Sequence, residues 1–108
     1  MNDLVRPAMY EAWMAIEPCE QRAEDAPTWD VVGPVCESGD WLGRDRALAV
    51  QPGDVLAVLS AGAYAMAMAS NYNTRPRAAE VMLDGDAVHV IREREPVADL
   101  FARERLIG

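Results

Sequence analysis

Cys36 and Glu37 stand side by side at the head of the run Cys36-Glu37-Ser38-Gly39-Asp40. A thiol, a carboxylate and turn-forming residues are gathered there in five positions. In ordinary surroundings a cysteine holds its proton at neutral pH and can deliver it to a reacting carbon. A carboxylate next to it opposes ionisation of the thiol and can hold a substrate ammonium group. The run therefore suits a proton donor beside an anchor for an amino group. It also suits a plainer setting, a half-buried strand cysteine followed by an exposed glutamate.

Arg6 and Tyr10 form a second candidate pair. Four residues apart, they share one face of a helix, and a guanidinium fork with a phenol can grip a carboxylate. On spacing alone they also read as a surface arginine and a tyrosine at the core edge. Tyr64 lies among small residues after an apolar run, where its hydroxyl could meet a phosphate or simply pack. His89 is the only histidine and is expected on the exposed side of a strand. With Cys19, expected in the core, it makes no metal-ligand spacing. Neither a Gly-x-Gly-x-x-Gly run nor a phosphate-loop lysine is present. All ten basic residues are arginine, so the chain holds no lysine amine at all.

The elements that must position these residues are short. Pro7 fits the first turn of a helix reaching about Trp13. Met14 to Cys19 alternates as an edge strand that tolerates Pro18. Gln21 to Pro27 is a polar loop, and Thr28 to Val35 a strand bent at Gly33-Pro34. Leu42 to Arg46 reads as a turn and Leu48 to Gln51 as a short extended piece. Val55 to Leu59 reads as a fully buried strand. Ala65 to Ser70 fits strand or helix, and Asn71 to Pro76 is a loop. Asp84-Gly85 between Ala79–Leu83 and Ala87–Arg92 is the clearest hairpin signal. Pro96 opens a helix with apolar residues at helical spacing as far as Ile107. Many short strands without βαβ alternation predict a mainly β fold, a barrel or sandwich with short flanking helices.

Bulk composition narrows the function. The 108 residues predict one domain, residues 1–108, with enough burial for a core of its own. A net charge of −8 speaks against nucleic acid or an anionic membrane as partner. Arg92-Glu93-Arg94-Glu95 reads as a solvated face. Two cysteines without a signal peptide suggest reduced thiols and a cytoplasmic protein. No apolar stretch approaches a membrane span.

Three segments carry a resemblance. Met1 to Tyr10, Gly33-Pro34-Val35-Cys36-Glu37-Ser38-Gly39-Asp40, and Leu59 to Tyr64 with Ser70 to Arg77 resemble the C-terminal β domain of the diaminopimelate decarboxylase family. These are fold-type III pyridoxal phosphate-dependent enzymes, and the likeness extends over nearly the whole chain. It implies an enzyme that removes the D-centre carboxylate of meso-diaminopimelate, giving L-lysine and CO2. It further implies an N-terminal β/α barrel holding pyridoxal phosphate on a lysine, and a homodimer with active sites at the interface. By the same resemblance Cys36 is a candidate proton donor and Glu37 binds a substrate amino group, both reaching the second subunit's site. Arg6 and Tyr10 grip the distal carboxylate, and Tyr64 contacts substrate and cofactor phosphate. The barrel and its lysine are missing, so the expectation is a piece of a larger enzyme, inactive alone and binding no cofactor by itself. Self-association through Trp13, Trp41, Met66, Met68 or Tyr72 is expected. The rival reading is a non-catalytic interaction module, or a separate subunit of a split pyridoxal phosphate enzyme.

Overall fold

Pro7 opens the first helix as expected, and the computed structural model, which describes residues 1–108, places it fully buried. This helix, α1 (Arg6–Tyr10), is shorter than the sequence suggests. Glu11 turns left-handed (φ 54°) and returns its N–H to the Arg6 carbonyl. The chain then delivers Met14 and Ile16 to the interior as β1 (Ile16–Pro18) begins, while Trp13 is left outside.

Three antiparallel ladders of two strands each follow. β1 pairs with β4 (Leu56–Val58), with Ile16 opposite Val58 and Pro18 opposite Leu56. Pro18 ends a strand with a free edge, where its missing N–H is harmless. β4 is half-buried and not fully buried as its apolar run suggested, because β1 is its only ladder partner.

β2 (Thr28–Val32) pairs with β3 (Trp41–Ala47), and the register slips twice, between Trp29 and Val31 and between Val31 and Val32. The expected irregularity thus lies inside the strand as well as at Gly33. β3 overturns the turn expected over Leu42–Arg46. Its polar residues are absorbed by the ladder: Arg44 stacks on Trp41, the left-handed Asp45 (φ 53°) donates its N–H to Asp30 Oδ1 at 3.0 Å, and Arg46 is buried. Gly43 is needed for close approach, since a Cβ there would lie 2.8 Å from Ile16 Cδ1.

The ambiguous segment after β4 is helix α2 (Gly62–Met68), rich in alanine as helices favour. A 3-10 turn over Tyr72–Thr74 contains two successive left-handed residues, Asn73 (φ 61°) and Thr74 (φ 57°). For a β-branched threonine this is a true outlier. The hairpin forms as read: β5 (Glu80–Asp84) and β6 (Ala87–Arg92) join at Gly85, whose φ of 58° is why glycine stands there. The helix expected after Pro96 reduces to a 3-10 stretch, Val97–Phe101. Leu106 and Ile107 meet no surface to pack on, and a short helix without tertiary packing does not persist.

The chain is mainly β, but a self-sufficient core is absent. Only 11 of 108 residues are buried, and the apolar centre consists of Leu4, Met14 and Ala61 flanked by Leu42, Val58 and Ala65. The radius of gyration is 16.4 Å, against about 13 Å for a compact chain of this length. The difference lies partly in the β5–β6 hairpin, which exposes Val81, Leu83, Val88 and Val90. Val81 faces Val90 and Leu83 faces Val88, so these four share one uncovered apolar face.

Candidate functional site

The Cys36-Glu37 run is a tight turn between β2 and β3. The Glu37 N–H donates to the Val35 carbonyl at 2.8 Å and the Asp40 N–H to the Glu37 carbonyl at 3.1 Å. Gly33 N–H donates to the Asp40 carbonyl at 2.9 Å, closing the base. Cys36 and Glu37 both point outward and are exposed, while Asp40 is buried beneath them.

Burial alone would raise the Asp40 pKa. That effect is outweighed by hydrogen bonds from the amino terminus and the Val35 N–H and by the charge of Arg75, so the carboxyl is held below its ordinary value. Arg75 in turn donates from Nε to Asn2 Oδ1 at 3.1 Å. Asn2 is itself buried and accepts the Ser70 N–H on its carbonyl at 2.9 Å.

Glu37 has a companion that its local sequence does not reveal. The Tyr72 phenol lies near its carboxylate, and hydrogen bonding to Glu37, with the negative charge of Glu37 behind it, raises the phenol's pKa. Tyr72 sits at the start of the strained 72–74 turn, and a polar clamp holds that turn. Asn71 Nδ2 donates to the Arg75 carbonyl at 3.1 Å and to Glu95 Oε2 at 2.7 Å. Arg77 donates from Nη1 to Asn71 Oδ1 at 2.8 Å and from Nη2 to the Ala69 carbonyl at 3.3 Å. Glu95 also accepts the Arg77 N–H at 2.9 Å, and with the Asn71 amide this bond lowers its pKa. Glu95 is therefore part of this clamp and not of a merely solvated face. Glu80 likewise pairs with Arg92.

Arg6 and Tyr10 lie one turn apart on α1 as expected, but the Arg6 guanidinium turns to another aromatic ring. It stacks over Tyr64 of α2 at 4.5 Å from the ring centre, while Tyr10 remains exposed. Arg6 also borders a cleft of about 300 Å³ with Trp13, Met14 and Leu59. A larger cleft of about 530 Å³ between α2 and the hairpin contains none of the expected site residues. Cys19 is exposed rather than in the core, because β1 ends at Pro18 and the chain turns outward. No group of three His, Cys, Asp or Glu side chains could hold a metal ion. No helix is long and apolar enough to cross a membrane.

Of the expected residues, Arg6 meets Tyr64, Cys36 and Glu37 share one turn with the unexpected Tyr72 near Glu37, and Tyr10 stands apart, exposed. The chain is a sheet domain with exposed turns and little core of its own. Over residues 1–62 the chain matches the family described as pyridoxal-dependent decarboxylase, C-terminal sheet domain, and it belongs to that family.

Among its relatives, the diaminopimelate decarboxylase of Vibrio cholerae is 55% identical over 107 residues, spanning 99% of this chain and 26% of the relative. A crystal structure of diaminopimelate decarboxylase from M. jannaschii superposes with a TM-score of 0.94 at 45% identity, covering 100% of this chain and 25% of that one. A second, of the M. jannaschii enzyme in co-complex with L-lysine, gives a TM-score of 0.93 at 45% identity, covering 99% and 25%. The chain therefore spans about a quarter of the length of these relatives.

The family's pyridoxal group carries an aldehyde, and holding it covalently takes an amine side chain. This chain has no lysine and so does not anchor the group. Arg6 stacked on Tyr64 offers a cation and a hydroxyl that suit only an anionic edge, phosphate or carboxylate.

Proposed function

We propose that the chain is the C-terminal domain of a diaminopimelate decarboxylase, converting meso-2,6-diaminopimelate to L-lysine and CO2. In that reaction a carbon–carbon bond to a carboxylate breaks, CO2 leaves, and a proton takes its place on the same carbon. Cys36 is the candidate donor of that proton. Glu37, steadied by Tyr72, receives a substrate ammonium. Arg6 and Tyr10 face the distal carboxylate, and Tyr64 faces substrate and cofactor phosphate. The reading includes a homodimer in which each active site is completed by Cys36 and Glu37 of the neighbouring subunit.

The observation that carries this reading is 55% identity across 99% of the chain to an enzyme four times its length. The small core and the bare hairpin face support an N-terminal β/α barrel domain and second subunit as partners. They also support closure of the three ladders into a barrel or sandwich within the complete enzyme. A cytoplasmic setting is part of this reading.

To test the proposal, the chain is joined to the preceding region of the Vibrio cholerae relative and assayed for L-lysine and CO2 from meso-diaminopimelate with pyridoxal phosphate. The joined protein turns over, its Cys36→Ala variant loses most of its kcat, and the chain alone stays at the background of free cofactor. A folded joined protein without turnover, or turnover by the chain alone, overturns the reading.

A further inference from the structure

Asp40 is the buried carboxylate of this chain, 3% exposed, and no role assigned above uses it. Its Oδ2 accepts the Val35 N–H at 2.7 Å. Its carbonyl takes the Gly33 N–H at 2.9 Å, and its own N–H reaches the Glu37 carbonyl at 3.1 Å. Its main chain ties Gly33 and Glu37 as any residue there would, while its carboxylate adds the bond to Val35, the residue directly before Cys36 and Glu37.

The backbone leaves room for this carboxylate and for little else. A Cβ on Gly33 would fall 2.3–2.5 Å from the Asp40 carboxylate atoms. Val35 is buried, so its N–H has no water to turn to if the carboxylate leaves.

We propose that Asp40 is a positioning residue that fixes the spacing and direction of the Cys36 thiol and the Glu37 carboxylate. It touches neither substrate nor cofactor and acts only through the turn it underlies. The catalytic meaning of this inference rests on the decarboxylase reading; the mechanical part, that Asp40 sets the turn, does not.

Asp54 supplies the control. It does the same kind of work elsewhere, with Oδ2 accepting the Gln51 N–H at 2.9 Å and both oxygens paired with Arg22 at 2.9 and 2.7 Å. Its turn carries no proposed site residue.

Two measurements test the inference. In the joined protein, amide hydrogen exchange reports whether the Val35 N–H loses protection in Asp40→Ala; unchanged protection overturns the inference. In the joined enzyme, Asp40→Ala lowers kcat/KM by about 10- to 100-fold, the scale of a displaced reacting group, with kcat down and KM up. Asp40→Asn, which keeps an oxygen for the Val35 N–H, shows a smaller loss. Asp54→Ala lowers the melting temperature but leaves kcat/KM within about twofold.

Equal kinetics in Asp40→Ala and the parent overturn the inference, as does a loss in Asp54→Ala as large as that in Asp40→Ala. If Asp40→Ala does not fold, Asp40→Asn decides, and unchanged kcat and KM in that variant overturn it. If the joined parent releases no CO2, the decarboxylase reading fails instead. Amide exchange at Val35 then decides for or against the positioning role.

Discussion

Gly33→Ala probes the Asp40 contact from the opposite side and allows a worked magnitude. Gly33 does not have a left-handed backbone, so alanine is strained there by contact and not by conformation. The new methyl carbon would lie 2.3–2.5 Å from the carboxylate, more than 1 Å inside ordinary contact. One escape is for the carboxylate to swing away, leaving the buried Val35 N–H unpaired at a cost of about 1–3 kcal/mol. The other is a backbone shift that costs about 1–3 kcal/mol as overpacking. Against either stands a gain of about 0.4–1 kcal/mol from a less flexible unfolded chain. The expected net loss is about 1–2 kcal/mol, or a fall in melting temperature on the order of 5–10 °C.

The decisive assay is a double-mutant cycle read by urea denaturation of the joined protein. In an Asp40→Ala background the obstructing carboxylate is gone, and Gly33→Ala should stabilise by about 0.4–1 kcal/mol. The coupling between the two sites is then about 2 kcal/mol, well above the few tenths expected of independent positions. Equal effects of Gly33→Ala in both backgrounds would refute the contact.

Acid titration follows from the carboxylates. Asp40, Asp54 and Glu95 all have folded pKa values below their ordinary 3.8, 3.8 and 4.5. Their stabilisation is therefore complete above those ordinary values and is lost as pH falls through the lower folded ones. Denaturant midpoints should stay flat above that range and drop below it, and Glu95→Gln should shrink the acid limb; an unchanged limb would remove Glu95 from the clamp. Self-association should use the hairpin as well as the exposed aromatics. Val81→Lys with Val88→Glu should shift light scattering toward monomer, while no shift would locate the contact elsewhere.

What was legible in the sequence was local chemistry. Pro7 marked a helix start, Pro18 an edge strand, and Asp84-Gly85 a hairpin, because each of these signals acts within a few residues. The Cys36-Glu37 turn was legible for the same reason. β3 was not: Arg44-Asp45-Arg46 looks like a turn until the strand pairs with β2 and Asp45 and Arg46 meet distant partners. Arg46 is the clearest case, with its guanidinium donating to the Met14 carbonyl at 2.6 Å and stacking on Trp13. Tyr72 beside Glu37, and Glu95 beneath Asn71 and Arg77, are likewise contacts across 18 residues or more. Spacing along the chain carries no trace of them. The size of the core was misjudged because length sets how much surface a chain could bury, not whether its own residues supply the cover.

The same structure shows why an incomplete core and an ordered site are compatible. Hydrophobic burial is scarce here, yet the two site-bearing turns are closed by hydrogen bonds that need no distant apolar partner. Residues 33–41 are joined by backbone bonds and by the Asp40 carboxylate. Residues 69–77 are joined by Asn71, Arg77 and Glu95. Shape is thus held locally, where Cys36, Glu37 and Tyr72 must keep their geometry. Stability is left to whatever covers the hairpin and the small apolar centre. Under the proposed function, a domain built this way would hold its candidate side chains in shape before assembly and gain its core on assembly.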